Sequence, residues 1–367
     1  MSALPVTSDY SRLFLQDIPL MDVRAPVEFA QGAFPGAINV PLLDDRQREL
    51  IGIEYKKAGQ DAAIALGNRL ATPAIRTQRI ADWQAFAAAH PDGVLYCFRG
   101  GLRSRTTQQW LHDSGVTLPL VQGGYKAMRR FLLDTLEQRC AVQALILISG
   151  RTGTGKTDLL LQISHAIDLE GLAHHRGSTF GYTTAPQPSQ IDFENALAVG
   201  LLKHVHFSPQ LPLFMEDESR LIGRIALPPI LQEAMKQAPV MVLDAPLHER
   251  EDRVMRDYIQ AQRVEYARAY GEEAAPRFAD FVLCNLDRIR SRLGGERHAQ
   301  LRDEWQQALV EFELSGSSEG FRPGIRRLLV EYYDPMYDYQ LSRRSGRVLL
   351  RGDADALLQF VRQQKNP

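Results

Sequence analysis

Cysteine is scarce in this 367-residue chain: Cys97, Cys140 and Cys284 are far apart and odd in number. That excludes a disulfide framework and points to a reducing cytoplasm as the compartment. No C-x-x-C occurs, and among nine histidines the best ligand spacing is His204-x-His206, with no third partner. A structural zinc site is therefore not expected. Neither sign of charge is in excess, with 43 Lys plus Arg against 44 Asp plus Glu. This excludes a uniformly basic nucleic-acid coat protein but leaves local patches open. No apolar run approaches the ~20 residues that span a bilayer. The first residues, MSALPVTSDYSRLF, lack the basic-then-apolar order of a secretory signal, so no membrane partner is expected. No internal repeat or low-complexity tract is visible.

What is present is an ordinary globular balance, 44% hydrophobic and 24% charged, in a chain long enough for about two domains. Short apolar runs alternate with helical patterns in both halves. Ile18–Val23 and Val94–Cys97 read as strands, with Ile80–Ala89 as a helix. Further on, Leu145–Ser149, Pro212–Met215, Val240–Leu243 and Val348–Leu350 read as strands. Leu301, Trp305, Ala308 and Phe312 form one stripe of a helix over Gln300–Leu314, which makes Trp305 a core residue. A connecting helix over Ala127–Gln143 separates the halves. The reading is two α/β domains with mostly parallel sheets, at residues 10–137 and 140–367.

Two loops carry chemistry. Val94-Leu-Tyr-Cys97-Phe-Arg99-Gly100-Gly101-Leu-Arg103-Ser104 is a strand entering a Gly-rich loop, followed by a helix from Thr106 to Leu111. Converging loop N–H groups, the positive end of the helix, Arg99 and Arg103 would together favour a nucleophilic thiolate at Cys97. Gly150-Arg-Thr-Gly153-Thr-Gly155-Lys156-Thr157 is a full G-x-x-x-x-G-K-[ST] match, placed after the strand Leu145–Ser149 and before a predicted helix over Asp158–Ala166. Gly150, Gly153 and Gly155 let the backbone wrap a di- or triphosphate. Lys156 reaches the terminal phosphate, and Thr157 can ligate Mg²⁺.

The acidic partner of this loop has two candidates: Asp244 after Val240–Leu243, and Asp217 within Phe214-Met-Glu-Asp-Glu-Ser219. Either aspartate can equally cap the next element. Arg176, in a basic Gly/Ser turn, is a candidate anion ligand. So are Arg220 and Arg224, four apart and on one face if that stretch is helical. Clusters at Arg288–Arg297 and Arg343–Arg351, and the aromatic group Tyr332–Tyr339, read as solvated or packed surface before they read as RNA contacts.

Asp22-Val-Arg24-Ala-Pro26-Val-Glu28-Phe29, continuing through Pro35-Gly36 to Pro41, resembles the opening motif of rhodanese domains. In that family the motif is architectural, with Asp22 and Arg24 bracing the fold. The Cys97 loop resembles the rhodanese active site, whose cysteine carries a transferable sulfur. Five residues separate Cys97 from Arg103, one more than in common sulfur-carrying loops and similar to related phosphatases, so the cradle should suit a larger oxyanion.

Residues 10–367 as a whole resemble the tRNA 2-selenouridine synthase family, through Cys97–Ser104, Gly150–Thr157, Asp168–Gly181 and Glu216–Arg224. The resemblance implies a tRNA bearing 2-thiouridine at the wobble position. It also implies S-geranylation from geranyl diphosphate, then replacement of the geranylthio group by selenium from selenophosphate. Cys97 would carry the selenium, Arg99 and Arg103 would hold the oxyanion, and Lys156, with or without Mg²⁺, would stabilise departing diphosphate. No tightly bound cofactor is implied. An ATP-dependent sulfurtransferase or kinase, a phosphatase-like use of Cys97, and a non-catalytic binding module remain open alternatives at this point.

Overall fold

The computed structural model describes residues 4–344 and 346–364. The chain forms two compact units, one of residues 1–139 with 189–207, the other of residues 140–188 with 208–367. The linear division at 10–137 and 140–367 therefore needs one amendment. The helix Gln190–Phe207 leaves the second segment and packs on the first unit. The cause is a set of polar and apolar contacts that sequence spacing does not show. Asn195, fully buried, donates to the Ala33 carbonyl (2.6 Å) and accepts from Arg129 (2.7 Å). Arg129 also pairs with Glu194, and Asp192 accepts from the Ala33 N–H at 2.6 Å.

The first unit holds five parallel strands: β1 (Val6–Thr7), β2 (Leu20–Asp22), β3 (Ile38–Asn39), β4 (Val94–Tyr96) and β5 (Leu120–Val121). Their order is β1-β5-β4-β2-β3. β2 and β4 are buried at every position, as expected of central strands covered on both faces. After β2 the chain moves outward to β3, and after β4 it moves the other way to β5. The strand order thus reverses between β2 and β4, and such a reversal leaves a crevice at the C-terminal edge of a parallel sheet. Cys97 is the residue directly after β4.

The second unit repeats the device. Its sheet runs β12-β11-β6-β8-β7, all parallel, from β6 (Leu145–Ser149), β7 (Ala166–Ile167), β8 (Leu213–Glu216), β11 (Val240–Leu243) and β12 (Val348–Gly352). Connections from β6 and β11 depart in opposite directions, so the reversal lies between them, and the phosphate loop begins at the end of β6. A hairpin of β9 (Leu221–Ile222) and β10 (Ile225–Ala226) stands apart. A helical cluster around Phe278, Leu301, Trp305, Phe321 and Ile325 forms a separate core, with Trp305 buried as its stripe predicts. Tyr332 and Tyr333 also pack into that core, which removes them from RNA stacking.

The helix expected over Asp158–Ala166 is shorter, Lys156–Leu160. A turn at Gln162–Ile163 breaks it, and Ala166 and Ile167 pair with Phe214 and Met215 as β7. Short apolar runs carry no periodicity strong enough to separate helix from buried strand. Among the described residues no helix is long and apolar enough to cross a membrane. Asn195→Ala should destabilise the first unit by ~2 kcal/mol, because it removes the donor to the Ala33 carbonyl and one of the two acceptors of Arg129; urea unfolding of the full chain checks this.

Candidate functional site

Cys97 is 3% exposed, yet its side chain lines the base of a cavity of about 990 Å³. The loop is held by its own backbone: the Tyr125 and Lys126 N–H groups donate to the Cys97 and Phe98 carbonyls at 2.8 and 2.9 Å. Gly100 has φ +64°, and a Cβ there would lie 2.8 Å from the Gly123 nitrogen, so only glycine fits. The helix Leu102–Asp113 begins directly after Gly101. From its first turn, buried Ser104 donates its hydroxyl to Cys97 Sγ at 2.7 Å. Arg103 and Glu28 form a two-pronged ion pair at 2.5 and 3.1 Å. Burial pushes the Glu28 carboxyl up, but the Arg103 hydrogen bonds and charge outweigh it and hold the carboxyl below its ordinary range. Arg99 is exposed at the cavity mouth, near the Phe98 ring. Cys140, by contrast, is buried and pushed up to about 12 by burial, as an inert structural thiol should be.

In the second unit the phosphate loop wraps as its glycines require. Gly153 and Gly155 have φ of +81° and +89°, and a Cβ on Gly150 would lie 2.7 Å from the Leu243 carbonyl oxygen. Lys156 Nζ donates to the Gly150 carbonyl at 2.9 Å. Thr157 Oγ1 donates to Glu170 at 3.3 Å. Glu170 and Glu218 face each other there. Burial, then the Glu170 charge, push Glu218 up to about 8, while Lys156 opposes the shift. Burial also raises Glu170, again opposed by Lys156. The back of the loop is braced by Arg250, which donates to the Thr152 carbonyl at 2.9 Å and grips Asp334 with both nitrogens at 2.9 and 2.5 Å. Arg253 lies against Gly155, with Nε 3.2 Å from where a Cβ would stand.

Two anion-ready loops, one with a thiol and one of P-loop form, narrow the comparison with known proteins. Residues 9–130 match the rhodanese-like domain, and residues 143–367 match the tRNA 2-selenouridine synthase AAA domain. A tRNA 2-selenouridine synthase from Marinobacter nauticus is 52% identical over 99% of this chain and 99% of its own length. One from Hahella chejuensis is 53% identical over 96% of this chain and 93% of its own, and one from Alcanivorax borkumensis is 51% identical over 97% and 98%. The chain belongs to the tRNA 2-selenouridine synthase family. It is an enzyme that modifies tRNA, built as a rhodanese domain followed by a P-loop-like α/β domain.

Within this synthase the structure sorts the residues read from sequence. Cys97, Arg99 and Arg103 share one cavity. Gly150, Gly153, Gly155, Lys156 and Thr157 form one loop. Asp217 accepts from Ser149 Oγ at 2.7 Å and pairs with Arg344, so it is Glu218, next in sequence, that faces Glu170 beside Thr157. Asp244 is half-exposed after β11, 3.7 Å from Arg351. Arg176 donates to the Asp257 carbonyl. Arg224 donates to the Gln187 carbonyl at 2.5 Å, while Arg220 is exposed.

Arg220 and Arg224 do not share a helical face. Gly223, with φ +59°, and Arg224 form the two-residue turn of the β9–β10 hairpin. Sequence reading missed Glu28, Ser104, Glu170, Glu218, Arg250 and Arg253. Of these, Arg250-x-x-Arg253 on the helix Leu247–Val254 that follows β11 was the most readable signal, since that spacing sets both arginines on one helix face. Arg250→Met should destabilise the second unit by ~3 kcal/mol, because it leaves the mostly buried Asp334 with only the longer 3.7 Å contact to Arg151. The double variant Arg250→Met/Asp334→Leu should recover most of it, and a double-mutant cycle of unfolding free energies checks the coupling.

Proposed function

We propose that this synthase makes 2-selenouridine in two steps on tRNA carrying 2-thiouridine at the wobble position. In the first, the thiocarbonyl sulfur attacks C1 of geranyl diphosphate, the C–O bond breaks, and diphosphate departs into the phosphate loop. Lys156, the loop N–H groups and the neighbouring Arg253 stabilise the charge that develops on the leaving oxygen. The Thr157 hydroxyl with Glu170 and Glu218 is a hard oxygen set suited to Mg²⁺ when diphosphate and water complete its shell. Among the described residues no group of three or more His, Cys, Asp or Glu could hold a metal alone. A bound Mg²⁺ would add charge neutralisation to the leaving group.

S-alkylation makes C2 of the base electrophilic and converts its sulfur into a thiol leaving group. In the second step Cys97 begins as a mixed disulfide with a small thiol. Selenide, freed from selenophosphate by water with phosphate as the other product, attacks the Cys97 sulfur; the S–S bond breaks, the small thiol leaves, and Cys97 carries selenium as a perselenide. The terminal selenium attacks C2, the C2–S bond breaks and geranylthiol leaves. The small thiol then attacks the Cys97 sulfur, the S–Se bond breaks, 2-selenouridine is released and the mixed disulfide re-forms, so the cycle has no net oxidation or reduction. The observation that supports this half is the placement of Cys97 Sγ. It accepts from Ser104 at the start of a helix, with Arg103 fixed beside it by Glu28 and Arg99 at the cavity mouth.

Substituting Cys97 by Ser should abolish selenation and let S-geranyl-2-thiouridine accumulate, read by mass analysis of tRNA nucleosides. Selenation that survives the change removes the carrier role. Lys156→Ala should slow geranylation by about 10²-fold or more, as loss of a leaving-group donor does. Unchanged alkylation, with tRNA-stimulated hydrolysis of Mg-ATP instead, would favour an ATP-dependent sulfurtransferase using the same loop.

A further inference from the structure

The cavity beside Cys97 is larger and more apolar than an anion cradle needs. A thiol that carries a single selenium atom requires only its own loop and the adjoining arginines. Here the loop opens into about 990 Å³, at the upper end of small-molecule sites. The walls include Leu42, Ile51, Ile64, Ile75 and Trp110, with Cys97, Arg99 and Arg103 at the reactive end.

Backbone geometry builds this space. Residues Asp45–Leu70 form two helical pieces broken at Gly59, whose φ is +84° and ψ −172°. A Cβ on Gly67 would lie 3.5 Å from Ile51 Cδ1. Sixteen residues of unbroken helix would hold those positions ~24 Å apart, so the chain folds back on itself at Gly59. The fold-back sets Ile51 and Ile64, one from each piece, on the cavity wall. Both are only partly buried and line the cavity.

We propose that this cavity is the seat of a ten-carbon isoprenoid chain, specifically the geranyl group carried on the sulfur of the alkylated wobble base. The apolar walls take the chain, and the base is left with C2 toward Cys97. The arginines at the reactive end face the anionic backbone or the selenium donor. The inference rests on the two-step reading above and adds to it the site that recognises the intermediate. A cavity of this kind also explains selectivity of the second step: a tRNA whose sulfur bears no prenyl group lacks the contact that holds C2 in place.

The test uses the full-length chain and anticodon stem-loop RNAs with S-geranyl-, S-dimethylallyl- or S-methyl-2-thiouridine at the wobble position. Binding is measured directly, and conversion is measured with selenophosphate. The wild type should prefer S-geranyl over S-methyl RNA by about tenfold or more, the scale on which apolar pockets sense missing methylenes. Ile51→Trp and Ile64→Trp, which fill the cavity from each of the two helical pieces, should reduce that ratio by about tenfold and move the optimum toward the shorter S-dimethylallyl group. A misfolded variant loses all three RNAs together and cannot invert the preference.

A preference unchanged in both variants overturns the proposal. So does a shift in the KM for geranyl diphosphate during geranylation with the RNA preference intact, because then the free donor occupies the cavity. A wild-type chain that neither geranylates 2-thiouridine RNA nor converts the S-geranyl RNA overturns the two-step reading itself, and that result is separable from the other two.

Discussion

A parallel sheet whose strand order reverses must leave a crevice at its C-terminal edge, where loops from two neighbouring strands part in opposite directions. Backbone N–H groups in such a crevice point outward and attract anions. Both units of this chain depend on that constraint. In the first the reversal lies between β2 and β4 and receives Cys97; in the second it lies between β6 and β11 and receives the phosphate loop. The chemistry of each unit follows from what the sequence sets in the crevice: a thiol in one, a lysine and a hydroxyl in the other.

The surroundings then specialise each crevice. Around Cys97 the charge is cationic and ordered, since Glu28 fixes Arg103 while Arg99 stays exposed. The adjoining walls are mainly apolar, with Arg48, Lys56 and Arg79 also lining them. Around the phosphate loop the balance is mixed. Arg250 and Arg253 approach from the helix after β11, and Glu170 and Glu218 approach on the side of Thr157. Two buried carboxyls beside one lysine cannot both ionise cheaply, which is why burial and mutual repulsion drive Glu218 upward. A cation or a phosphate entering beside them changes that balance, so proton uptake and ligand binding are linked at this loop.

The two glycine-rich loops were legible because each is contiguous. Cys97 to Ser104 and Gly150 to Thr157 carry their turn glycines, charges and flanking strand and helix in one short stretch. Glu28 and Arg103 are 75 positions apart, and Arg250 and Asp334 are 84 apart; nothing local announces either pair. The same reason hides the attachment of the helix Gln190–Phe207 to the first unit, which rests on contacts with Ala33 and Arg129. The stretch from Arg220 to Arg224 failed for another reason. A spacing of four fits a helix face, but the Gly223 turn with flanking Leu221-Ile222 and Ile225-Ala226 fits a hairpin, and the glycine decides. Asp217 and Glu218 are adjacent, so sequence alone could not say which faces the loop and which pairs with Arg344.

If the two loops divide the reaction, a tRNA alkylated at one is a complete substrate for the other. The most direct measurement mixes equal amounts of the full-length Cys97→Ser and Lys156→Ala chains with 2-thiouridine tRNA, geranyl diphosphate and selenophosphate, and analyses the nucleosides by mass. The account predicts that the mixture forms 2-selenouridine although neither chain does so alone. Geranylated tRNA that builds up in the mixture without selenation would contradict it.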